Sequence, residues 1–206
     1  MPLARAHGGP VLTGVMRTCA EDFQVVEQLG FEPEGFGEHV FLEIEKRDAN
    51  TEWVARSLAS ALKIAPVAIG YSGLKDRHAL TRQTFSVHLP GKADPDWSTI
   101  MIEGVRVVSA IRHPRKLKRG SHAGNRFVIV LRDVAGDRDT SERIAESIRR
   151  SGLPNYFGEQ RFGRNGDNLR LAERLFAGAR LGRSERGFAL SAARALVFNE
   201  VLTRRV

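Results

Sequence analysis

The chain has 206 residues, 42% of them hydrophobic, enough for one packed core or one core and part of another. Lys and Arg number 32 against 24 Asp and Glu, and the net charge of +8 at pH 7 favours a polyanionic partner such as RNA, DNA or an acidic membrane surface. The lone cysteine, Cys19, excludes an internal disulfide and suits a reducing compartment. No apolar run reaches the ~18 residues of a bilayer span and no signal-peptide pattern opens the chain, so a soluble, cytoplasmic protein is expected.

In chain order, Glu21 to Glu27 and the alternating stretch Val40 to Ile44 suit two strands, with the Gly-rich stretch from Gly30 to Gly37 as the loop between them. Asn50 and Thr51 offer a cap for a helix whose apolar face is Val54, Leu58, Ala61 and Leu62, and which stops before Pro66. From Gly70 to Arg82 there are glycines and charges without periodicity, after which Phe85, Val87 and Leu89 alternate as a strand. Asp76 therefore sits on a loop or turn that feeds a strand. Val105 to Ile111 and Phe127 to Leu131 are further strands, the second apolar on both faces and so expected at the centre of a sheet. Asp139 with Glu142 resembles a capping box for a helix through Ile144, Ala145 and Ile148 that Gly152 and Pro154 end. Two more helices are expected, around Leu169 to Ala177 and Ser191 to Arg205. Without regular βαβ alternation the class is α+β, with a mixed or largely antiparallel sheet.

Asp76 lies between two cations, Lys75 and Arg77, which can keep a carboxylate ionised and ready to act as nucleophile or base. Taken alone, the tripeptide describes an exposed ion pair on a turn more readily than an active site. Arg115, Lys116, Lys118 and Arg119 form the centre of a basic run without an acidic residue, flanked by Gly120 and Gly124, and this suits contact with a phosphate backbone. The segment from Asn155 to Gly163 mixes Tyr156, Phe157 and Phe162 with Arg161 and two glycines, which serves either base stacking or core packing. Cys19 has no activating neighbour, the six histidines form no compact ligand motif, and phosphate-loop, dinucleotide and serine-elbow patterns are absent from the sequence. No metal and no cofactor is expected.

Read together, Glu21-Asp22-Phe23-Gln24-Val25-Val26-Glu27, Gly37-Glu38-His39, Glu45 to Thr51, Gly70 to Gln83 around Gly73-Leu74-Lys75-Asp76-Arg77-His78, and Gly158-Glu159-Gln160-Arg161-Phe162-Gly163 resemble, in order, the motifs of the TruD family of tRNA pseudouridine synthases. Arg115 to Gly120 followed by Gly124-Asn125-Arg126-Phe127 is similar to the same pattern, so the resemblance runs from about Glu21 to the end. Several long motifs in one order make coincidence far less plausible than any one of them would.

The resemblance implies the pseudouridine synthase catalytic core, a largely antiparallel mixed sheet flanked by helices, and a cofactor-independent isomerase that converts uridine 13 of tRNA to pseudouridine. By carry-over, Asp76 matches the catalytic aspartate, Phe23 and Asn125 match positions that line the target base, and Phe127 matches the aromatic that packs against uracil. Lys75 and Arg77 stand beside the substrate, and Arg115, Lys116, Lys118 and Arg119 face RNA backbone. Ser72 stands where the family more often has Ala. The implied partner is tRNA, with no protein partner and a monomeric chain.

TruD-type chains continue into an inserted domain and a returning segment, and Phe198-Asn199-Glu200 resembles the helix just before that insertion. Residues 1–206 are accordingly expected to be an incomplete catalytic domain without either piece. The alternative function is a non-catalytic tRNA-binding module or an inactive fragment of the synthase.

Overall fold

The computed structural model describes residues 2–206. It divides into two compact units: Gly14–Ala135, and the segment up to Thr13 together with Gly136–Val206. The division passes through two strands, β1 (Leu12–Met16) and β8 (Leu131–Gly136), which pair as a two-stranded sheet.

The first unit is built on a six-stranded sheet of β2 (Phe23–Gln28), β3 (His39–Arg47), β4 (Ile69–Tyr71), β5 (Leu80–His88), β6 (Val105–His113) and β7 (Gly124–Ile129). The order is β6-β3-β5-β2-β7, with β4 also on β5. Only β2 and β5 run parallel, and the other pairings are antiparallel. The mixed, largely antiparallel α+β architecture is the expected one.

Helix α1 (Thr51–Ala61) covers one face of this sheet. Period-two alternation gives β3 and β5 a shared core face, because Val40 lies opposite Val87, Leu42 opposite Phe85 and Ile44 opposite Gln83. Val54, Ala55, Leu58 and Ala59 of α1 pack onto that face with Ile69 and Leu89. Continuing along the same row, the next pair is Lys46 and Thr81. The face thus grades from hydrocarbon to hydrogen-bonding groups as it approaches the loop that carries Asp76.

The expected central strand at Phe127 is instead an edge. Strand β7 ends the sheet order, and Phe127, Val128 and Ile129 are all substantially exposed. An apolar run on both faces signals that both faces can be covered, and does not fix where a strand falls in the pairing order. The run is also shorter than expected, since Leu131 belongs to β8.

In the other unit, α2 (Arg138–Ser151) is capped by Asp137, whose carboxylate accepts from the Thr140 amide at 3.0 Å, so the cap lies two residues ahead of the expected Asp139. Gly152, at φ 74°, ends α2 as expected. Helix α3 (Asp167–Phe176) packs on α4 (Arg183–Thr203), which begins well before the expected Ser191 because its first turns lack a periodic apolar face. Phe157 is held here as packing, edge-on to Phe198 at 5.3 Å and with both backbone groups bonded to the Asn199 amide at 2.9 Å. Among the described residues no helix is long and apolar enough to cross a membrane, and no group of three or more His, Cys, Asp or Glu could hold a metal ion.

Candidate active site

The loop between β4 and β5 is held at almost every residue. The Ser72 carbonyl accepts from the Gly120 amide at 2.7 Å, and its hydroxyl donates to Glu27 at 2.6 Å. The Gly73 carbonyl accepts from the Gln83 amide at 2.7 Å, and the Lys75 amide donates to the Thr51 hydroxyl oxygen at 3.0 Å. That hydroxyl in turn donates to Gln83 at 2.9 Å. The Asp76 carbonyl accepts from the Lys46 ammonium at 2.9 Å. A glycine-containing loop is thereby fixed by polar side chains from β2, β3, α1 and β5, the rigid support that an aligned reactive group requires.

The Asp76 carboxylate itself stays half exposed and lies 3.6 Å from the Arg17 guanidinium. Arg17 also stands over the Phe23 ring, 3.9 Å from its centre. Neither sequence neighbour of Asp76 supplies its ion pair. Lys75 turns away to bond the fully buried Glu27 at 2.5 Å, while Arg77 lines a cleft of about 650 Å³ with Arg47, Trp53 and Arg56. Local charge order suggested Lys75 and Arg77, but a loop points successive side chains in different directions, and the nearest cation comes from far along the chain.

Arg17 went unremarked in the sequence because nothing in its local spacing links it to position 76. Its backbone adopts φ 62°, a left-handed conformation uncommon outside glycine. The turn that follows is organised by Asp22. This carboxylate accepts the Thr18 and Cys19 amides at 3.1 and 3.3 Å and a forked pair of bonds from Arg132, with Nε at 2.8 Å and Nη2 at 2.8 Å. The Arg132 guanidinium holds the Asp22 carboxyl down to about 2, against the desolvation that would raise it.

Antiparallel register between β2 and β7 places Phe23 opposite Ile129, Val25 opposite Phe127 and Glu27 opposite Asn125. Phe23, Phe127 and Asn125 therefore share one face, with the two rings 6.0 Å apart. Phe127 is 53% exposed, which leaves aromatic surface free to take a planar ligand. The Asn125 amide oxygen is buried and has no hydrogen-bond partner among the described residues. A buried acceptor left open beside exposed aromatic surface suits a flat heterocycle with an N–H, such as the N3 edge of uracil.

The basic segment between β6 and β7 is anchored by buried Leu117, whose amide donates to the Ser86 hydroxyl oxygen at 3.0 Å. Its four cations divide into two kinds. Lys116 donates to the Val67 carbonyl at 2.5 Å, and Arg119 bonds the Tyr71 hydroxyl at 3.0 Å and pairs with Glu52 at 3.7 Å. Arg115 and Lys118 are exposed and have no side-chain partner among the described residues.

The family model for tRNA pseudouridine synthase D (TruD) matches residues 5–180. Over 206 residues the chain is 52% identical to the tRNA pseudouridine synthase D of Methylococcus capsulatus, covering 99% of this chain and 58% of that protein. The tRNA pseudouridine synthase D of Pectobacterium atrosepticum is 49% identical over 203 residues, 97% of this chain and 58% of its own length. A crystal structure from Methanosarcina mazei, described as a tRNA pseudouridine synthase D, superposes with a TM-score of 0.69 at 27% identity, over 85% of this chain and 41% of that one. The chain thus spans 58% of the length of these two curated relatives. With the family model matched over most of its residues, the chain belongs to the TruD family of tRNA pseudouridine synthases.

Proposed function

We propose that this chain carries the catalytic carboxylate and the base-holding face of an enzyme that isomerises uridine to pseudouridine in tRNA, at position 13 by its likeness to the family. The observation that carries the reading is that Arg17 meets both Asp76 and the Phe23 ring, while Phe127 and the unpartnered Asn125 acceptor share with Phe23 one face of the β2–β7 pair. In this reading residues 1–206 are the part of the catalytic domain that holds these groups.

A uridine inside folded tRNA must leave its stack before its glycosidic bond is reached, at a cost of a few kcal/mol. Stacking on Phe127 and a hydrogen bond from N3–H to Asn125 offset that cost. Asp76, paired with Arg17, then acts on the sugar or the base. The N1–C1′ bond breaks, the base turns, and C5 bonds to C1′. The proton lost from C5 is balanced by one gained at N1, so no atom is added and no cofactor takes part. Arg115 and Lys118 meet the phosphate backbone outside the site.

The test is pseudouridine content of tRNA incubated with the protein as its cell makes it. Wild type forms pseudouridine, while Asp76→Asn forms none and keeps its tRNA affinity within about threefold. Near-normal turnover by Asp76→Asn removes Asp76 from the mechanism. Binding without turnover by wild type leaves a tRNA-binding module.

A further inference from the structure

The alternation that buries Val40, Leu42 and Ile44 on the core face of β3 carries on to Lys46, which is 0% exposed. Among the described residues no carboxylate pairs with its ammonium. It donates instead to two backbone carbonyls, Ala49 at 2.6 Å and Asp76 at 2.9 Å. A buried cation without an ion pair is among the costliest groups a core can hold, and a methionine would fill the same space without that cost. What the ammonium adds is a clamp between the chain leading into α1 and the peptide of the residue proposed to be catalytic.

We propose that Lys46 is a positioning residue for the isomerisation, clamping the Asp76 peptide against the start of α1 so that the carboxylate is held where it meets the flipped uridine. This rests on the reading of Asp76 as the catalytic carboxylate. The charged groups facing the ammonium are Asp76 and Lys75 from the loop and Asp48 from the end of β3, while its cross-strand neighbours, Thr81 and Val105, carry no charge. Burial brings its pKa down from 10.5 to about 8, helped by Lys75 and resisted by Asp76 and Asp48. Above that pH the neutral amine keeps two N–H groups but loses the charge-assisted strength of both bonds and the positive field behind Asp76.

The experiment measures single-turnover pseudouridine formation against pH in wild type, Lys46→Met and Lys46→Arg, with tRNA affinity measured alongside. The wild-type rate falls as pH rises through about 8. Lys46→Met lowers the rate at pH 7 by at least about tenfold with tRNA affinity unchanged, and its alkaline decline at that pH is gone. Lys46→Arg, charged throughout, retains part of the rate and also lacks the decline. A Lys46→Met rate equal to wild type, or the same decline in either folded variant, overturns the proposal. Should Lys46→Met fail to fold by circular dichroism, Lys46→Arg decides by the same criterion. If wild type forms no pseudouridine, the functional reading fails separately, and the clamp is then judged by amide hydrogen exchange. Faster exchange at Gly73 to His78 in Lys46→Arg supports it, and unchanged protection sinks it.

Discussion

At the scale of single residues, the site is defined by charges that meet across long stretches of sequence. Arg17 reaches Asp76, and Arg132 reaches Asp22, each pair built from segments that the chain brings together only on folding. Asp22 makes a prediction about acid stability. Its folded pKa lies near 2, below the ordinary 3.8, so folding favours the ionised form. The stability it contributes is fully present above 3.8 and is lost as pH falls from there toward about 2. Asp22→Asn is expected to lower the urea midpoint at pH 7 and to flatten its fall between pH 4 and pH 2.5. A fall as steep as in wild type would show that the Arg132 fork does not carry this dependence. The Asp76 loop was legible as a loop because its glycines and charges break every period, and Phe23, Asn125 and Phe127 were named from ordered motifs. Arg17 was not legible, because neither its left-handed backbone nor its approach to Asp76 leaves a trace in local spacing. For Lys75 the converse holds, since adjacency in sequence suggests a pairing with Asp76 whereas the loop directs its ammonium to Glu27.

At the scale of elements, strands β2, β3, β5 and β6 and helix α1 could be read because alternation and a helical apolar stripe are local patterns. Three strands could not. Strand β4 is three residues long, and β1 and β8 pair with each other rather than with the main sheet, so their sequences need no buried face. Strand order is likewise a global property, which is why β7 was expected at the centre and lies at an edge. The segment joining β6 to β7 looked like four equivalent cations, yet the fold engages Lys116 and Arg119 and leaves Arg115 and Lys118 open. Replacing Arg115 and Lys118 together by Ala is therefore expected to weaken tRNA binding and to reduce the slope of log affinity against log salt by about 2. Replacing Lys116 and Arg119 should change the melting temperature more than the slope. Equal slopes for both double variants would mean that the division read from the hydrogen bonds has no bearing on RNA.

At the scale of the whole molecule, a net charge of +8 coexists with exposed apolar surface. On α4, Leu196, Val197 and Val201 are exposed around one shallow apolar cavity, and β7 exposes Val128 and Ile129. An exposed apolar patch such as the one on α4 binds hydrophobic dyes. The folded chain is expected to enhance the fluorescence of anilinonaphthalene sulfonate under native conditions, and Val197→Lys with Val201→Lys should reduce that enhancement while the far-ultraviolet spectrum stays unchanged. A signal that does not fall would place the dye elsewhere.

The pairing of β2 has a bearing on the order of assembly. Strands β3, β5 and β6 are antiparallel neighbours, and β2 lies parallel to β5, over comparable stretches of chain, whereas the β2–β7 pairing matches Val25 to Phe127 across most of the unit. Contacts between distant segments form slowly because loop closure must precede them. The face proposed to hold the base is therefore the last part of the sheet to close, and during synthesis Asp76 and its supporting loop emerge before the strand that carries Asn125 and Phe127. Until β7 arrives, the side of β2 away from β5 is a row of unpaired backbone donors and acceptors, the edge of this sheet most open to mispairing.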